Sequence, residues 1–217
     1  MINVKTYPAP PINERECLRY AGTDNKNISE EERQLFKACL AEAEGKLTYK
    51  VCWGRFPVSR TEDMLNLGFA KTESRGLCKN LEGCAEIILF AATIGLEIDR
   101  LIRKYTRLSP AKALFFQAIG AERIERLCDV FCEELKEGGL FLKPRFSPGY
   151  GDLPLELQKD IFRVLDCSRK IGLTLNESLL MSPSKSVTAI IGISKEKQKG
   201  SKNKCSACLK TDCAYRG

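Results

Sequence analysis

Residues 145–193 carry the densest run of conformational signals in the chain, and they constrain its fold most. The run opens with Arg145-Phe146-Ser147-Pro148-Gly149-Tyr150. Pro144 and Pro148 keep the backbone extended on either side, and Gly149 permits a turn or a close backbone approach to a ligand. A guanidinium, a hydroxyl and a phenol sit on this stiff segment. It can grip an anion, or it can simply connect two elements. Asp152 is placed to cap a helix, with Pro154 near its first turn and Leu157, Ile161, Val164 and Leu165 as its apolar stripe. Gly172 ends that helix. A strand is expected over 173–178, a turn at Met181-Ser182-Pro183, and a second strand, rich in β-branched residues, over 186–193.

Upstream, residues 1–11 read as an extended arm or edge strand, and 16–21 as a short helix. Ser29-Glu30-Glu31-Glu32 is a capping box that opens a helix with the face Leu35, Cys39, Leu40 and Ala43, closed by Gly45. Residues 47–58 alternate around Tyr49, Val51 and Trp53 and read as a strand, with 65–70 expected to pair with it. Trp53 is a stacking platform for a flat ligand or, as a lone Trp more often is, a core anchor. A short helix over 74–81 and a buried strand over 86–92 follow, then a helix carrying Ile98, Leu101, Ile102 and Tyr105. Ser109-Pro110 opens a long helix reaching about Lys136, with the stripe Leu114, Ala118, Ala121, Ile124, Leu127, Cys128, Phe131 and Leu135. Cys39, Cys84, Cys128 and Cys132 fall within apolar patterns and read as small core residues. No internal repeat is present.

The C-terminal half of the chain resembles the activation (reactivation) domain of cobalamin-dependent methionine synthase. The resemblance rests on Arg145-x-x-x-Gly149-Tyr150, on Pro154, and on Ile171-Gly172-Leu173-x-Leu175-x-Glu177-Ser178-x-x-Met181-x-Pro183-x-x-Ser186-Val187, in order and spacing. Upstream it thins. There Arg19-Tyr20-Ala21-Gly22, and Ala91-Ala92-Thr93-x-Gly95 with Asp99, are similar to short stand-alone relatives of that domain. The resemblance implies an α+β fold, a twisted and mostly antiparallel sheet with helices packed around it. That agrees with the order of elements above. The resemblance also implies a domain binding S-adenosylmethionine over 1–194; composition sets off a basic linker over 195–204 and a cysteine-rich tail over 205–217.

The same resemblance implies reductive reactivation of methionine synthase. S-adenosylmethionine would serve as methyl donor to a cob(II)alamin carried by a separate polypeptide. Arg145 would clamp an anionic end of S-adenosylmethionine, Ser147 and Gly149 would offer backbone groups, and Tyr150 would place its phenol near the ligand or the corrinoid, as the catalytic residue. The helical segment Ile124-Glu125-Arg126-Leu127-Cys128-Asp129 resembles the one whose acidic residue contacts S-adenosylmethionine. Glu125 takes that place by gapless matching of the apolar positions, with Glu122 as the rival phase. The chain departs from the multidomain enzyme in lacking its N-terminal aspartate segment. It also carries Gly139 where that module has a second glutamate. The implied partners are a truncated methionine synthase or another corrinoid protein, with an electron donor such as flavodoxin or ferredoxin. The chain would then be an accessory component rather than a complete methionine synthase. Two alternatives stand beside this one: a metal- or thiol-bearing redox activator of another corrinoid methyltransferase, and a non-catalytic docking subunit.

Absences sharpen the reading. The chain contains no histidine. That excludes a Ser-His or Cys-His pair and histidine-based zinc chemistry within it, and it removes the imidazole that cobalamin modules place under cobalt. The net charge is +7, with 35 basic residues against 28 acidic ones. The excess includes Lys195, Lys197, Lys199, Lys202 and Lys204, without the aromatic-basic interleaving of an RNA binder, so no nucleic-acid partner is expected. The longest apolar run is far too short to span a bilayer and the N-terminus shows no signal peptide, so a cytoplasmic protein without a membrane partner is expected. Eleven cysteines, an odd count, fit a reducing compartment. Three of them form Cys205-x-x-Cys208-x-x-x-x-Cys213. This set is open to three readings: free or redox thiols, an iron-sulfur or zinc site lacking a fourth ligand, or a disulfide switch. The order is not that of radical S-adenosylmethionine enzymes.

Overall fold

The uninterrupted apolar run that begins at Ile87 becomes the central strand of a sheet covered on both faces. The computed structural model describes residues 1–23, 28–61 and 64–194. In chain order the elements are β1 (Asn3–Tyr7), α1 (Glu14–Tyr20), α2 (Glu30–Ala43), β2 (Tyr49–Pro57), β3 (Ser59–Arg60), β4 (Leu65–Asn66) and β5 (Lys71–Thr72). Then come α3 (Arg75–Asn80), β6 (Cys84–Thr93), α4 (Glu97–Leu108), α5 (Pro110–Glu137), β7 (Phe141–Leu142), α6 (Leu157–Leu165), α7 (Cys167–Ile171), β8 (Thr174–Leu175), β9 (Met181–Ser182) and β10 (Ser186–Ser194).

The main sheet has the order β1-β2-β6-β10-β7, and every neighbouring pair is antiparallel. Successive residues of a strand face opposite sides. Ile88, Phe90 and Ala92 of β6, with Ala189 and Ile191 of β10, face a core closed by α1, α2, α4 and α5. Ile87, Leu89 and Ala91, with Ile190, face a second core closed by α3, α6 and α7. Burial on both sides is why β6 reads as a continuous apolar run rather than an alternating one. The expected α+β architecture of an antiparallel sheet wrapped by helices is therefore the one observed. No described helix is long and apolar enough to cross a membrane.

Many local signals act as expected. The Ser29 capping box is complete: the Ser29 hydroxyl accepts the Glu32 N–H at 3.2 Å and Glu32 accepts the Ser29 N–H at 2.9 Å. Pro110 takes the first turn of α5. Half-buried Trp53 packs its ring at 5.3 Å from Phe131, as a core anchor.

Several local expectations are corrected. Asp152 does not cap a helix of its own. Leu153 precedes a proline, which disfavours the helical conformation there, and α6 starts only at Leu157. The strand expected over 65–70 does not join β2. The Asn66 side chain accepts the Gly68 N–H at 3.0 Å, and Leu67 donates to the Ala70 carbonyl, so the run turns back into the small sheet β3-β4-β5. The helix expected to run to Gly172 is broken in two by Asp166, which adopts a left-handed conformation at φ 52°. The strand expected over 173–178 stops at Leu175, because the Asn176 side chain accepts the Leu180 N–H and turns the chain. Met181 and Ser182, expected in a turn, form β9. In α5 the stripe also starts elsewhere: Leu114 is 50% exposed, while Phe115, Phe116 and Ile119 fill the core.

Candidate functional site

The Arg145 loop follows β10 as a broken edge strand. Lys143 donates to the Gly192 carbonyl at 2.8 Å, Pro144 has no N–H to give, and Phe146 and Ile190 exchange both backbone hydrogen bonds at 2.9 Å. Because the segment is extended, Arg145 and Phe146 point to opposite faces of the sheet. Phe146 enters the core beneath α3 and α6. Arg145 crosses to α5, on the other side.

There its guanidinium meets two carboxylates one helical turn apart. Nη2 donates to Glu125 Oε2 at 2.9 Å. Nη1 lies 2.9 Å from Asp129 Oδ1, an ion pair whose alignment falls short of a full hydrogen bond. The three side chains are 27%, 46% and 51% exposed in the order Arg145, Glu125, Asp129, so the arginine is the sheltered member. Burial works against its charge, yet its pKa is held above the usual value, with the Asp129 and Glu125 carboxylates among the causes. The Cys128 and Cys132 thiols are themselves pushed up by burial and so stay neutral, which leaves them as packing rather than nucleophiles. Tyr20, at the end of α1, is close enough for the Glu125 charge, after burial, to raise its phenol pKa.

Beyond Phe146 the loop bonds to itself. The Tyr150 N–H donates to the Ser147 carbonyl at 3.1 Å, Gly149 to Leu153 at 2.9 Å and Leu153 to Tyr150 at 3.2 Å. Gly149 holds φ +83°, which a side chain would strain. Its N–H is thus committed inside the loop. Tyr150 is 63% exposed, with its ring edge-on to Phe146 at 5.3 Å.

The far end of the loop is clamped to α3. Asp152 accepts the Ser74 hydroxyl at 2.5 Å, the Arg75 N–H at 2.7 Å and the Gly76 N–H at 3.1 Å. These bonds hold its carboxyl below the usual carboxylate range, the Ser74 hydroxyl contributing most.

The two glutamates left open by the sequence part company. Glu122 is buried, paired with Arg123 at 2.5 Å, and accepts the Asn13 N–H at 2.9 Å; Arg123 also donates to the Pro10 and Pro11 carbonyls. Glu125 is the one that faces Arg145. The structure thus brings Glu125 to Arg145, while Ser147, Gly149 and Tyr150 bond within the loop and the Tyr150 ring packs on Phe146, which faces the other side of the sheet. Sequence reading missed Asp129 as a member and Asp152 as the clamp. The four-residue spacing from Glu125 to Asp129 on one helix face could have flagged the first. No local signal points from Asp152 to α3.

Cys205, Cys208 and Cys213, like the linker, lie outside the described residues. Among the described residues, no group of three or more His, Cys, Asp or Glu side chains could hold a metal ion. Two clefts lie elsewhere. One of about 930 Å3 is lined by residues including Arg60, Ser74 and Cys78. Another of about 830 Å3 is lined by residues including Tyr7, Leu40 and Tyr49. Neither is lined by Arg145.

Comparison with known proteins agrees with the sequence resemblance. No curated protein matches the chain in sequence. Residues 141–207 match the family model for the vitamin B12 dependent methionine synthase, activation domain. Among solved structures, a crystal structure of the MetH reactivation domain bound to AdoHcy aligns with a TM-score of 0.68 at 19% identity, covering 93% of this chain and 81% of that one. Residues 141–207, which carry the Arg145 loop, are therefore similar to the activation domain of cobalamin-dependent methionine synthase, and the chain as a whole has the fold of the reactivation domain.

Proposed function

We propose that this chain binds S-adenosylmethionine at the Arg145 loop and serves the reductive remethylation of cob(II)alamin in a cobalamin-dependent methionine synthase or another corrinoid protein. The observation that carries the reading is the sheltered Arg145 guanidinium. It stands between Glu125 and Asp129 of α5 and belongs to the segment that matches the activation-domain family. The AdoHcy in the similar solved structure supports a ligand of this class.

The donor set fits an S-adenosyl amino acid. The ligand carries a carboxylate for a guanidinium fork, and an amine and ribose hydroxyls for a carboxylate such as Glu125. The chain has no histidine, and so not the imidazole that the cobalamin module of methionine synthase places under cobalt. The corrinoid is therefore assigned to a partner polypeptide, and the electron to a separate donor such as flavodoxin or ferredoxin. Bound here, S-adenosylmethionine supplies the methyl group.

The chain's own residues bind and orient. Arg145 holds the ligand carboxylate. Glu125 turns to the ribose hydroxyls or the cationic end. Ser147, in the same loop, would offer its backbone, and Gly149, with no side chain, would let the ligand approach. Tyr150 lies further along the loop with its phenol exposed, where a corrinoid partner would cover it and exclude water.

Two measurements test this. Titration calorimetry should show S-adenosylmethionine binding to the isolated chain. Mixing the chain with a corrinoid protein, S-adenosylmethionine and a reductant should produce methylcobalamin absorbance. Absence of binding, with the protein folded, would overturn the reading.

A further inference from the structure

We propose that Asp129 is a positioning residue for Arg145, a second anchor that keeps the guanidinium aimed when Glu125 turns to the ligand. This rests on the reading above. The arginine backbone is fixed at one end, because the next residue, Phe146, is stitched to Ile190 by two hydrogen bonds. Its guanidinium is held at the other end by carboxylates on two different nitrogens, Nη2 by Glu125 and Nη1 by Asp129, each at 2.9 Å. A planar group gripped at both terminal nitrogens cannot swing about its long stem, whereas one gripped at a single nitrogen can.

The two grips differ in kind. The Glu125 contact is an aligned hydrogen bond. The Asp129 contact is an ion pair with the donor off line. Asp129 therefore fixes the charge from the buried Nη1 side. Nη2, now on Glu125, is the donor that a ligand carboxylate would take when Glu125 turns away. Beneath the group lie the neutral thiols of Cys128 and Cys132, which offer no competing anion. When a ligand draws Glu125 away, Asp129 is the carboxylate that remains on the arginine.

A double-mutant cycle tests this by calorimetry with S-adenosylmethionine, beside a thermal melt of each variant. Asp129→Asn should weaken binding by about 3- to 30-fold, in the range of coupling between groups in contact. Asp129→Glu, which restores the charge, should recover most of that loss. In an Arg145→Ala background, Asp129→Asn should cost nothing more, because a positioning residue acts only through the residue it positions. If wild type binds, Arg145→Ala binds more weakly, and Asp129→Asn binds as tightly as wild type, the inference is overturned while the functional reading stands. An equal cost of Asp129→Asn with and without Arg145 would also overturn it, by making the role direct or merely structural. If the wild type itself shows no binding, the functional reading fails and this inference falls with it.

Discussion

Gly76 stands against the Asp152 carboxylate so closely that a Cβ there would lie 2.8 Å from Asp152 Oδ1 and 3.2 Å from the Phe146 ring. The loop that carries Arg145 is docked on α3 through this contact, so the absence of a side chain at 76 is a condition of the loop's position. Gly76→Ala should push the carboxylate off the Arg75 and Gly76 amides and lower stability by roughly 1–3 kcal/mol, the usual cost of overpacking a close contact. Asp152→Asn should also lower the melting temperature and loosen the loop. Hydrogen exchange at the Arg75 and Gly76 amides reads the clamp directly. Unchanged protection in both variants would show that the loop is held elsewhere.

The same carboxylate gives a pH dependence whose sign is fixed. Its pKa is lowered in the folded chain, first by the Ser74 hydroxyl and then by the backbone amides of Gly76 and Arg75. A group depressed on folding stabilises fully above its unfolded pKa, about 3.9 for aspartate, and that contribution is lost as pH falls through the lower folded value. The melting temperature of wild type should therefore fall more steeply below about pH 4 than that of Asp152→Asn. Parallel curves would remove Asp152 from the acid limb.

Signals that act within a turn or two of helix were readable. The Ser29 capping box, the Pro110 start of α5 and the doubly buried β6 needed only local pattern. What was not readable depends on partners far away in sequence. Asp152 looks like a cap for the next helix and does cap one, but it is α3, 78 residues back from Asp152 to Ser74. The helix phase around Glu122 and Glu125 stayed open because both are glutamates near apolar positions. Only the chain at Asn13, which binds Glu122, and the loop at Arg145, which binds Glu125, tell them apart. The Arg145 loop itself was legible as a site candidate from its residue types. Its tie to β10 was not.

The loop series tests the ligand. A charge-assisted hydrogen bond contributes roughly 1.5–3 kcal/mol, so Arg145→Ala should weaken S-adenosylmethionine binding by about 10- to 200-fold. Arg145→Lys should recover only part, because a point charge cannot reproduce the fork. Tyr150→Phe keeps the ring on Phe146 and should cost less in affinity while slowing methyl transfer. Calorimetry beside thermal melts checks all three. Wild-type affinity in Arg145→Ala with an intact fold would remove the arginine from the site.

The cysteine set Cys205, Cys208 and Cys213 is decided by metal analysis after anaerobic purification and reconstitution. If it is a thiolate metal site, iron or zinc should be bound, and Cys205→Ser, Cys208→Ser and Cys213→Ser should each abolish it. Iron and zinc both far below stoichiometric amounts would leave the three as thiols.

Glu122 and Glu125, three residues apart on α5, should fail in opposite ways. Glu122 is 4% exposed and holds Arg123, itself 6% exposed. Removing one partner of a buried pair strands the other charge, at a cost of about 3–5 kcal/mol. Glu122→Ala should therefore lower the melting temperature sharply and release the arm at Pro10 and Pro11, whose carbonyls Arg123 also binds. Any loss of ligand binding should follow the loss of fold. Glu125 is 46% exposed, and its partner Arg145 keeps Asp129 nearby. Glu125→Ala should leave the melt within about 1 kcal/mol of wild type, as exposed ion pairs contribute little, yet weaken S-adenosylmethionine binding. Calorimetry and melting on the two variants separate the roles. A Glu125→Ala protein that melts early but binds normally would return Glu125 to the framework and leave Arg145 without its partner in recognition.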